Sequence, residues 1–148
     1  MIYKDKDITV ISGGIASGKV FKGLSLAILK ISKVHNKLII IKASKNENVD
    51  TFIEIESALS FIRNENIKIE YFTLSNIPSN ELDSSIVILL ESEKVSNVSS
   101  SLKIGKLLSS NAKLIFIGNP NLTKSPNVMQ TLINEKSENI NYITMNKD

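Results

Sequence analysis

Ile8-Thr9-Val10-Ile11, then Ser12-Gly13-Gly14-Ile15-Ala16-Ser17-Gly18-Lys19-Val20, then the apolar stretch Phe21 to Lys33, together decide how this chain is read. Four β-branched residues in a row predict a buried strand. Beyond the glycines, Phe21, Leu24, Ile28 and Ile31 keep a three-to-four spacing. Leu26, Ala27 and Leu29 widen that face, which predicts a deeply packed helix over 20–33. Between strand and helix, Gly13, four residues, Gly18 and Lys19 form G-x-x-x-x-G-K in the setting the pattern requires. A loop that wraps an anion must turn successive backbone N–H groups inward. Small residues let the chain come close, and the following helix adds the positive end of its dipole. Gly13, Gly14, Ile15, Ala16, Ser17, Gly18, Lys19 and Val20 are therefore the candidate phosphate-binding residues, with Lys19 neutralising the β- and γ-phosphates. A glycine-rich turn with no ligand is the competing reading of the same stretch.

One position breaks the pattern. A serine or threonine normally follows the lysine and ligates magnesium, and Val20 stands there instead. Valine is nearly isosteric with threonine but has no oxygen. The expectation is a site for ATP with a weakened place for Mg2+.

The rest of the chain repeats the alternation of strand and helix. Short apolar runs recur at 38–42, 69–74, 85–90, 113–117 and 140–145, and most of them are too continuously apolar for a sheet with one wet face. Helical spacing joins them: Phe52, Ile55, Leu59 and Ile62 with Asp50 as N-cap, a third helix over 102–108 that could begin near Val95, and a fourth after Pro126. The serine-rich stretch 96–101 reads as a loop. This pattern predicts an α/β domain of P-loop NTPase type, a mostly parallel sheet of five or six strands with helices on both faces.

Two later strands end in chemistry. ATPases with such a loop place a magnesium-holding acid at the end of an apolar strand, often followed by a glutamate that polarises water. Ile86-Val87-Ile88-Leu89-Leu90-Glu91-Ser92-Glu93 has that outline in two registers. With Glu91 as the metal ligand, Ser92 stands where the catalytic glutamate belongs; with Glu91 as the catalytic group, Leu90 replaces the metal-binding acid. Glu93 substitutes for the missing carboxylate only after a local rearrangement. Asn119, ending Leu114-Ile115-Phe116-Ile117-Gly118, is the candidate that faces the γ-phosphate from a neighbouring strand. An end-of-strand glutamate and an Asn-Pro-Asn turn are the plain alternatives.

Composition narrows the field further. With 148 residues, 42% hydrophobic, 22% charged and only three prolines and six glycines, the chain reads as one packed domain over 1–148. The absence of cysteine removes disulfide, thiol-nucleophile and cysteine–zinc chemistry, and a single histidine, His35, removes serine-triad and zinc-protease chemistry. Arg63 is the one arginine among eighteen basic residues at a net charge of +3, which leaves little for arginine-based recognition of phosphate or bases. No apolar run approaches the roughly twenty residues of a membrane helix, and the first residues do not read as a signal peptide. A cytoplasmic protein without membrane contact is expected.

The order of these motifs resembles the ATPase domain of the large terminase subunit, the DNA-packaging motor of tailed bacteriophages. Gly13 to Lys19 is similar to that family's G-G-x-x-S-G-K loop. Lys42, at the end of the second strand, stands where an arginine is usual; Ile86 to Glu91 matches its Walker B segment, and Phe116 to Pro120 its coupling motif. Tyr142-Ile143-Thr144 resembles a strand that follows. The resemblance implies an ATP-binding, motor-derived domain of viral or mobile-element origin, without the family's nuclease domain and with weakened or lost hydrolysis. It also implies double-stranded DNA and other packaging proteins as partners, a homo-oligomeric ring, and the host cytoplasm as location. The alternative is a non-hydrolysing nucleotide-binding interaction or regulatory protein of a phage or mobile element.

Overall fold

A computed structural model of the protein describes residues 6–14, 17–43, 49–62, 67–78, 81–95, 101–121 and 127–145. Ile15, Ala16, Arg63 and Pro126, and most of the serine-rich stretch, lie outside the described residues.

Six strands, β1 (Ile8–Gly13), β2 (Lys37–Lys42), β3 (Lys68–Thr73), β4 (Ser85–Leu90), β5 (Lys113–Gly118) and β6 (Ile140–Met145), form one sheet in the order β3-β2-β4-β5-β1-β6. Every pairing is parallel. The helices are α1 (Lys19–Leu29), α2 (Val49–Ile62), α3 (Ser101–Ser109) and α4 (Val128–Glu135). This is the expected α/β architecture, with six strands.

The continuously apolar runs are explained by cover on both faces. On one face Val10, Ile39, Ile41, Val87, Leu89 and Phe116 pack with Ile104 and Leu107 of α3 and Met129 and Leu132 of α4. On the other, Ile11, Leu38, Ile40, Ile88 and Ile117 pack with Val20, Leu24 and Ala27 of α1 and Ile55, Ala58 and Leu59 of α2. Alternate residues of the central strands thus enter different clusters, while the edge strands β3 and β6 keep exposed polar side chains.

Helix α1 corrects two sequence expectations. It ends at Leu29, and its buried residues are Val20, Gly23, Leu24 and Ala27. Phe21 and Leu29, assigned to the apolar face by spacing, are 44% and 81% exposed. Gly23 rotates the face: a Cβ there would stand 2.3 Å from Ile117 Cδ1, so the backbone itself lies against β5. Helix α2 begins at Val49, which puts Asp50 inside the first turn rather than at the cap. Val95 is extended and buried, and α3 starts only at Ser101.

Helix α4 has a complete capping box. Asn127 accepts from the Gln130 N–H at 3.0 Å, while the Gln130 side chain accepts from the Asn127 N–H at 3.3 Å. Gln130 Nε2 also donates to the Pro120 carbonyl at 2.9 Å, tying the helix start to the chain leaving β5. Because Asn127 is 1% exposed, its replacement leaves buried donors unmet. Asn127→Ala is expected to lower stability by about 1–2 kcal/mol in urea unfolding; a loss within error of zero would show that the box contributes nothing.

Candidate functional site

With all strands parallel, their carboxyl ends share one rim. The consecutive neighbours β4, β5 and β1 deliver Glu91, Asn119 and the Gly13–Lys19 loop to it, and β2 delivers Lys42 beside Leu90. In open α/β sheets this rim is where ligands bind.

The loop between β1 and α1 has the features of an anion cradle. Gly18 precedes the helix at φ 84°, a left-handed conformation that favours glycine. No side chain caps the helix and its first turn carries no acid, so the N–H groups there keep their partial positive charge. Lys19 Nζ donates to the Gly14 carbonyl at 2.8 Å, which lays the ammonium group back across the loop. The Ser17 N–H donates to the same carbonyl at 3.3 Å. The Ser17 hydroxyl is different: its oxygen is buried and has no hydrogen-bond partner among the described residues.

Gly13 pairs with Met145 across β1 and β6, and a Cβ at Gly13 would stand 2.9 Å from both Met145 Cβ and its carbonyl oxygen and 2.6 Å from Ser17 Oγ. Only glycine fits there. The Met145 methyl reaches to 3.8 Å from the Cβ position of Gly18, so β6 walls one side of the cradle. Sequence patterning did not single out Met145, because its place depends on a register between strands over a hundred residues apart.

Val20 is 6% exposed and packs in the apolar cluster beneath α1. At the end of β4, Glu91 takes φ 55° and ψ 43°, a strained left-handed conformation for a side-chain-bearing residue. Its carboxylate pairs with Lys94 Nζ at 2.8 Å. The reversal turns Ser92 and Glu93 inward. Ser92 Oγ donates to the Leu89 carbonyl at 2.7 Å, and Glu93, 5% exposed, accepts the Asn119 N–H at 2.9 Å. Glu93, read from the sequence as a stand-in carboxylate, therefore grips the end of β5 instead. The Asn119 side chain accepts from the Asn121 N–H at 3.1 Å, an Asx turn. Among the described residues no three metal-ligating side chains cluster.

Burial raises the Glu93 carboxyl above its ordinary range, opposed by the Asn119 N–H and aided by the Glu91 charge. A carboxyl that holds its proton more tightly in the folded state makes stability fall as pH rises from the unfolded value through the folded one. Glu93→Gln keeps an acceptor for Asn119 and removes that slope. Urea unfolding should show the wild type losing stability relative to Glu93→Gln as pH rises from about 4 upward; parallel profiles would contradict a buried, hard-to-ionise Glu93.

The fold is an α/β domain built on an all-parallel six-stranded sheet, with the glycine-rich loop at the carboxyl rim. No family model matches the chain, and no curated protein matches it. Among solved structures it is similar to the large terminase from a thermophilic bacteriophage in complex with ADP, with a TM-score of 0.51 and 11% identity. The likeness covers 97% of this chain but 41% of that one, so the chain spans about two-fifths of the terminase's length. It supports the architecture argued from the residues. Among the described residues no helix is long and apolar enough to cross a membrane.

Proposed function

We propose that this chain is an ATP-binding P-loop domain akin to the ATPase of the terminase large subunit, with hydrolysis weakened or lost. The observation that carries the nucleotide reading is the uncapped, acid-free start of α1 behind left-handed Gly18, with Lys19 folded over the loop and the Ser17 hydroxyl unmatched. The donors available there suit a di- or triphosphate: a run of N–H groups, one ammonium and one hydroxyl. A bare connecting turn has no need of an unmatched buried hydroxyl, which costs free energy until a partner arrives.

The described residues do not fit a magnesium ion held as such sites usually hold it. Val20 offers no oxygen, Glu91 is paired with Lys94, and Ser92 and Glu93 are turned into the protein. These engagements favour the non-hydrolysing reading, a nucleotide-binding interaction or regulatory protein of a phage or mobile element. The motor reading adds double-stranded DNA, other packaging proteins, a homo-oligomeric ring and a cytoplasmic location, with Glu91 and Asn119 as catalytic groups and Glu91 as the ligand of Mg2+. Its support is the shared fold and the order of motifs along the chain.

Calorimetric titration with ATP and ADP tests the shared core of both readings. Lys19→Ala removes a charge-assisted contact and should weaken binding by about tenfold to a hundredfold. No binding by the intact protein at millimolar nucleotide refutes the site. Phosphate release measured with and without double-stranded DNA separates the two readings: no turnover in either condition supports the non-hydrolysing protein, and DNA-stimulated turnover supports the motor.

A further inference from the structure

Several side-chain oxygens at the rim are engaged within the protein. A Glu91 oxygen meets Lys94, the Ser92 hydroxyl meets Leu89, a Glu93 oxygen meets the Asn119 N–H, and the Asn119 oxygen meets the Asn121 N–H. Position 20, which would supply a metal-ligating hydroxyl, is a valine in the apolar cluster. Among the described residues, Ser17 Oγ is the buried side-chain polar atom left without a partner. It stands inside the loop, 2.6 Å from where a Gly13 Cβ would be, two residues before the lysine that crosses the same loop.

We infer that the Ser17 hydroxyl is a direct phosphate ligand, and that the loop takes up its nucleotide without a divalent cation. The inference rests on the nucleotide reading above and deepens it. A buried hydroxyl with no acceptor is costly in the free protein and gains a charge-assisted bond when a phosphate oxygen enters. Where such a loop normally holds magnesium through a hydroxyl after the lysine, Val20 offers no oxygen, and Glu91 is paired with Lys94. Lys19, the first-turn N–H groups and Ser17 O–H then carry the anion between them. Binding energy that comes from fixed donors rather than from a bridging ion does not change when the ion is removed.

The experiment is calorimetric titration of the intact protein with ADP, in magnesium and in excess EDTA, for wild type and Ser17→Ala, beside thermal unfolding of both without nucleotide. The expected wild-type Kd is the same within about threefold in the two buffers, a difference too small to represent a lost metal bridge. Ser17→Ala should raise Kd by about tenfold to a hundredfold in both buffers. Its ligand-free Tm should equal or exceed that of the wild type, since the substitution deletes an unmet buried group. Loss of more than about tenfold in affinity on adding EDTA overturns the inference. So does unchanged affinity in Ser17→Ala, or a ligand-free Tm that falls, which would make the hydroxyl structural. Absence of ADP binding in both buffers refutes the nucleotide reading itself, whereas binding that needs magnesium refutes only this inference.

Discussion

A parallel sheet whose central strands carry apolar side chains on both faces leaves most polar groups to the strand ends and the edge strands. Val10 and Ile11, Ile39 and Ile40, and Phe116 and Ile117 are neighbours in sequence that face opposite clusters, and each is at most 2% exposed. Burial on this scale, at about 25 cal/mol per Å2 of apolar surface, dominates the free energy of such a fold. It also sorts the chain spatially. Glycines, the loop lysine, the carboxylates and Asn119 all fall where the strands run out, and parallel pairing places those exits on one rim. The candidate site is thus a consequence of the core.

At that rim two glycines do different work. Gly13 brings β1 against Met145, which sets the wall of the cradle, whereas Gly118 makes room for a carboxylate. A Cβ at Gly118 would stand 2.5 Å from Glu93 Oε1, 2.7 Å from Met129 Sδ and 3.1 Å from the Ser92 N. The end of β5 is therefore packed at once by the turn after β4 and by α4. The Pro120 carbonyl is held in turn by Gln130. The segment leaving β5 is fixed from both sides, and a displacement of the β4 turn would be felt at the start of α4.

Much of this was legible in the sequence, for a definite reason. The six runs match the six strands closely, with 85–90 and 140–145 reproduced as read, because short β-branched and apolar runs bounded by polar turns have few other uses. The glycine-rich loop was legible because its spacing reflects backbone geometry. The face of α1 was not. Phe21 and Leu29 share the helical spacing of the core residues, and only the close approach of Gly23 to Ile117, a tertiary fact, turns them outward. Glu93 was read as a stand-in carboxylate, but its inward direction was not legible, because it follows from the left-handed turn at Glu91, a conformation that glutamate itself does not announce.

That turn also bears on why the end of β4 looks unlike a metal site. A side-chain-bearing residue in the left-handed region costs of order 1 kcal/mol and persists only where surrounding contacts over-determine it. Here they do. The Lys94 N–H returns to the Glu91 carbonyl at 2.9 Å, Ser92 Oγ to Leu89 at 2.7 Å, and Glu93 to Asn119 at 2.9 Å. To bring Glu93 out towards a ligand, the protein would have to give up the Asn119 bond and open the space over Gly118. To free Glu91, it would have to break the pair with Lys94, a partly exposed contact worth little by itself. Glu93 could therefore be brought out only with repacking of β5 and α4, while the Glu91 side chain, 13% exposed, is held at least by Lys94. Position 20, a valine buried in the apolar cluster, offers a divalent ion at this rim no side-chain oxygen.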